Sequence, residues 1–182
     1  MLLNRSAPVA FCGVAAALSV VCMFLTGLIP ISTYALTAMA SLPCMVIVIE
    51  LGTKWAWPVY VVVSVLSMLF AADKEAVILY ILFLGYYPIL KAHLERLSKI
   101  VSWVLKLFVF NLAVVVGYYI AIIFLGIPRE SFFAFGSSTP FLLLAAGNAV
   151  FVVYDTALSG MVMEYYKRFH RLAQQWLNQK MR

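Results

Sequence analysis

Charge is what this chain has least of. Seven acidic and 13 basic residues are spread over 182, so charged side chains make up only 11% of the sequence. A soluble domain carries about 25% and needs it to cover its surface. Here 65% of the residues are hydrophobic and the mean hydropathy is +1.03. Those values exclude an ordinary soluble domain and place the chain among integral membrane proteins.

Other shortages narrow the chemistry. There are two histidines, His93 and His170, both in basic segments. No His-Glu metal motif, Gly-x-Ser-x-Gly elbow or phosphate-binding loop is present, so the chain is not expected to be an enzyme and cannot hydrolyse ATP itself. Acids are too sparse for lipid-headgroup chemistry, which calls for several on facing helices. The three cysteines, Cys12, Cys22 and Cys44, are odd in number, lack C-x-x-C spacing and lie in apolar runs. They read as packing residues, with neither a disulfide framework nor a metal site. No cofactor is indicated, and there is no internal repeat.

What is abundant is apolar sequence in blocks long enough to cross a bilayer, which takes roughly 20 residues as a helix. The blocks predict six spans, at about 8–29, 35–50, 55–72, 76–91, 101–127 and 140–164. The second is short and the fourth is interrupted. The first is too long for a signal-peptide core and reads as a retained helix. The expected fold class is therefore all-α, a single compact bundle of six transmembrane helices filling residues 1–182, with 165–182 as an amphipathic tail.

The net charge of +6 sits at span ends. Arg5, Lys54, Lys91, Arg96, Lys99, Lys167, Arg168, Arg171, Lys180 and Arg182 collect on one side, against Lys74 and Arg129 on the other. The positive-inside rule puts the first side, and both termini, in the cytoplasm. Trp55, Trp57, Trp103 and Trp176 fall near that same interface. The basic charge thus reads as topology and attraction to anionic lipid, not as a nucleic-acid surface. In the tail, Tyr165, Phe169, Leu172 and Trp176 recur at helical spacing, as do Leu90, Leu94, Leu97 and Val101 in the connector. Both suggest helices lying on the membrane surface, as anchors or as docking surfaces.

Polar residues at depth come next. Lys106 lies roughly 9 Å inside the fifth span and Asp155 roughly 14 Å inside the sixth, at 1.5 Å per residue. A lone charge there costs about 2.5–3.5 kcal/mol, so a Lys106–Asp155 ion pair is expected, or failing that Lys106 with Glu50. Asn111 and Asn148 lie near mid-membrane, as interhelical glue or as ligand contacts.

Two further patterns point outward from the bundle. At the outer end Tyr34, Lys74, Glu75, Tyr80, Tyr118 and Arg129 converge with loop hydroxyls, the description of a pocket for a small, partly aromatic ligand. On the first span, Gly13 and Ala17 stand four apart among further alanines, a spacing that lets another helix approach closely. Near the inner end of the fourth span, "FLGYYPILK" predicts a bend at Pro88. Gly85 would admit a neighbour, and Tyr86 and Tyr87 would anchor at headgroup level or satisfy the freed carbonyls.

Six spans with both ends inside, the "GVAAALS" face and the polar outer loops together resemble the S components of energy-coupling factor (ECF) transporters. "ELGTKW", "FLGYYPILK" and "LKLFVFN" match no known substrate-specific signature of that family. The resemblance implies a membrane subunit that captures a vitamin-like small molecule outside and works with a transmembrane coupling subunit and ATPases. It implies substrate contacts at Tyr34, Lys74, Glu75, Tyr80, Tyr118, Arg129 and Asn148, and docking on the coupling subunit through Gly13 and Ala17. The competing readings are a non-transport membrane scaffold of the rod-shape assembly type and a small-molecule sensing domain.

Overall fold

A computed structural model of the chain describes residues 6–29, 33–124, 126 and 139–168. Among them there is no strand, and six helices or helix pairs are long and apolar enough to cross a membrane. They are α1 (Ser6–Thr26), α2 with α3 (Thr33–Ala40, Leu42–Glu50), α4 (Thr53–Phe70), α5 with α6 (Lys74–Leu79, Tyr87–Leu94), α7 (Lys99–Phe124) and α8 (Thr139–Arg168).

The boundaries follow from local chemistry. Pro43 has no N–H to offer the carbonyl one turn back, so the ladder breaks between α2 and α3. The chain tightens there, with the Ser41 N–H and hydroxyl both donating to the Ala38 carbonyl at 3.2 and 2.6 Å. The turn after α3 rests on Gly52, whose φ of 88° is open to glycine and strained for a side chain. Asp73 starts α5 by accepting the Ala76 N–H at 3.0 Å. The last helix runs about one turn beyond the expected end of its span. Residues 165–168 therefore continue α8, closed by a Glu164–Arg168 ion pair one turn apart. The rest of the expected tail, 169–182, lies outside the described residues.

The fourth span departs from expectation in how it is interrupted. Residues Tyr80–Leu84 form a π turn, in which the Gly85 N–H donates to the Tyr80 carbonyl five residues back at 2.8 Å. Pro88 is the second residue of α6, where a helix needs no N–H donor, so it starts the next segment cleanly. The break combines this π turn with Pro88, which like Pro43 has no N–H to offer the carbonyl one turn back. The Ile81 carbonyl within the π turn accepts from the Tyr60 hydroxyl of α4 at 2.8 Å, a role expected of Tyr86 or Tyr87. Gly85 does admit close neighbours: a Cβ there would meet the Tyr80 ring at 2.6 Å and the Tyr60 ring at 2.9 Å.

The chain divides into two compact units, Met1–His93 with Val162–Arg182, and Leu94–Met161. In the first, α1 packs on α2, α3, α4 and α5 around a core that includes Met23, Ile47, Val63, Tyr80 and Ile89. Burying each such side chain contributes about 1.5–3 kcal/mol relative to water, less where the alternative is lipid. The second unit is built on an antiparallel pairing of α7 with the first part of α8.

Candidate functional site

In the first unit, polar groups gather where α2 and α5 begin and where α1 and α4 end. Gly27, just past α1, lies so close to Ala72 that an added Cβ would come within 2.9 Å of the Ala72 Cβ. Thr33 donates its hydroxyl to Asp73 at 2.8 Å, fastening the start of α2 to the start of α5. Lys74 turns back, and its ammonium donates to the Met68 and Ala71 carbonyls, each at 3.0 Å. Those carbonyls at the end of α4 have no helical donor of their own, so Lys74 closes that helix. Tyr34, 73% exposed, and Glu75 stand on the same polar end.

Tyr80 is elsewhere in character. It is fully buried in the core, stacked on Tyr60 at 6.2 Å between ring centroids. Around these two rings Trp57, Phe83, Tyr86 and Tyr87 complete an aromatic cluster with centroid separations of 4.8–6.4 Å. Aromatic pairs at such distances are favourable beyond their buried area.

In the second unit, α7 and α8 meet along a seam with three layers. Lys106 donates to both oxygens of Asp155 at 3.1 and 3.2 Å, with each residue 4% exposed. The half-exposed Glu95 accepts from the same ammonium at 3.2 Å, and the Trp103 ring lies 5.6 Å from it. One turn along, Phe110 stacks on Phe151 at 4.8 Å. Asn111 and Asn148 then exchange amide hydrogen bonds in both directions at 3.0 Å, and each also donates to the carbonyl four residues back at 2.8 Å. Both amides spend their N–H groups on this clamp, the interhelical alternative rather than the ligand-contact one. Tyr118, on the same helix, packs edge-on to the exposed Tyr119.

The sequence-derived candidates thus separate. Tyr34, Lys74 and Glu75 share the polar end of the first unit. Tyr80 lies in that unit's core, Tyr118 and Asn148 belong to the second unit, and Arg129 lies outside the described residues. Lys106 and Asp155 meet as an ion pair. Glu95 was missed as their third member, although its position eleven residues before Lys106, within the basic connector, was visible in the sequence. Tyr60 was also missed, because nothing local in α4 announces that its hydroxyl serves a distant carbonyl. Gly13 and Ala17 lie on the exposed side of α1, opposite the buried Cys12, Ala15 and Ser19. Nothing comes within 4 Å of a Cβ built at Gly13. Among the described residues no cluster of His, Cys, Asp or Glu could hold a metal ion.

Comparison with protein-family models, with curated proteins and with solved structures finds no match.

Proposed function

We propose that this chain is a substrate-binding membrane subunit, an S component, of an ECF-type importer in a prokaryotic plasma membrane, with both termini cytoplasmic. It takes a vitamin-like small molecule at the outer face and passes it on with a transmembrane coupling subunit and ATPases. The observation that carries this reading is the open side of α1. Ala10, Gly13 and Ala17 line an exposed stretch of a helix whose opposite side is fully packed. S components use small residues on the first helix to meet the coupling subunit, and small side chains let two backbones approach.

The substrate contacts are then Tyr34 and Glu75, at the polar end of the first unit. Both Tyr34 and Glu75 are exposed beside the Thr33–Asp73 fastening. Lys74, Tyr80 and Asn148 hold architecture in this reading. That same engagement favours a second one, a membrane scaffold of the rod-shape assembly type, in which the polar residues serve packing alone.

Co-expression with the coupling subunit and ATPases of an ECF-type importer separates the two. The intact chain is expected to co-purify with them in fixed stoichiometry. Gly13→Leu with Ala17→Leu should lower that recovery about tenfold while thermal stability in detergent stays unchanged. Undiminished recovery of the double variant removes α1 as the docking helix, and no complex with the intact chain removes the importer reading.

A further inference from the structure

The fourth span carries a feature that the proposed function does not use. Its π turn holds one residue more than a regular α turn would, and π turns recur at functional sites. Two hydrogen bonds define it: Gly85 N–H to the Tyr80 carbonyl and Tyr60 hydroxyl to the Ile81 carbonyl, both 2.8 Å. In an α ladder the Gly85 N–H would go to the Ile81 carbonyl instead. The π form leaves the Ile81 carbonyl without that donor, and the Tyr60 hydroxyl supplies one, so it favours the π form over the α ladder. Moving between the two ladders exchanges one backbone bond for another and releases only the tyrosine.

We propose that Tyr80–Tyr86 is a register hinge, with the Tyr60 hydroxyl as the catch that holds its π form. Release lets the turn close as regular α-helix. The extra residue is then passed down the chain, and α6 turns by about 100° and shifts by about 1.5 Å relative to α5. Ile89, now fully buried, leaves the core, and the buried Lys91 turns with it. The Tyr80 and Tyr60 rings wall Gly85, so a bulkier residue there would wedge the turn. Register shifts of helices belong to the microsecond–millisecond range, suited to a transport or assembly step. The hinge stands independently of the cargo and of the coupling partner.

The test compares cysteine labelling in the full-length chain in detergent, with N-ethylmaleimide as the probe and each site read by peptide mass spectrometry. Ile89→Cys reports downstream of the hinge and Val77→Cys, also buried, reports upstream. Tyr60→Phe keeps the ring and its stacking and removes only the catch. It is expected to speed labelling at 89 about tenfold, the weight of one hydrogen bond, and to leave labelling at 77 unchanged. An equal rise at both sites marks Tyr60 as an ordinary core residue, and no rise at either marks the π turn as static. Both results overturn the proposal. Deleting Leu82 supplies a second arm. The turn then closes as α-helix, and Tyr60→Phe should no longer alter labelling at 89; a persisting effect also overturns it. If the cysteine at 89 prevents folding, amide exchange over residues 85–90 relative to 76–79 makes the same comparison.

Discussion

At the scale of single residues, the deep charges decide most. Lys106 and Asp155 offset each other's desolvation cost; removing Lys106 leaves Asp155 uncompensated, and removing Asp155 leaves Lys106 only the half-exposed Glu95. Asp155→Ala is expected to lower stability by about 3 kcal/mol, the low end for breaking a buried pair. Lys106→Met with Asp155→Leu should cost less than the single change. Unfolding of the purified protein in mixed detergent reads both. Equal costs for the single and double variants would show that the pair is solvated. The Asn111–Asn148 clamp is weaker: Asn148→Ala should cost about 0.6 kcal/mol, since interhelical hydrogen bonds within membranes average near that value. This pairing of Lys106 with Asp155 was legible in the sequence, because opposite charges at similar depth on adjacent antiparallel spans have few other partners. The roles of Lys74 and Tyr80 were not. A lysine beside acids on a loop looks like a ligand contact, and only the fold shows that its ammonium closes the end of α4. A tyrosine near the end of a span looks accessible, and only the packing of α4 against the fourth span buries it.

At the scale of elements, glycines separate into those that packing requires and those it leaves free. Gly85→Ala drives a Cβ into the rings of Tyr80 and Tyr60 and is expected to destabilise by about 1–3 kcal/mol, the range for overpacking. Gly13→Ala meets nothing and should be neutral or slightly stabilising, as alanine favours helix by up to about 1 kcal/mol over glycine. Thermal unfolding in detergent ranks the two, and a reversal would contradict the packing described here. The six helical stretches were readable from apolar length, with ends placed within four residues of those described. The π turn was not readable. Gly85 and Pro88 announced an interruption, but the π turn's bond from the Tyr60 hydroxyl comes from more than twenty residues away in the chain, and no local pattern carries that information.

At the scale of the whole molecule, the chain reads as a multi-pass membrane protein with one polar end in its first unit and one open small-residue face on α1. Composition alone pointed to helices long and apolar enough to cross a membrane, and the structure has six. The site was only partly legible, since the seven candidate substrate residues rested on their end of the bundle and on a family resemblance. Depth does not distinguish a side chain that faces a ligand from one that closes a helix or fills a core. Tyr34 and Glu75 remain exposed on the polar end, and they carry the central claim that this end takes a small molecule. The most direct test is native mass spectrometry of the protein released from detergent, with extraction and identification of any bound compound. The account predicts one small molecule per chain, lost or weakened at least tenfold in Tyr34→Ala and Glu75→Gln while stability is kept. A chain that carries no small molecule, and that gains no thermal stability from any vitamin supplied, would contradict it and leave the scaffold reading in its place.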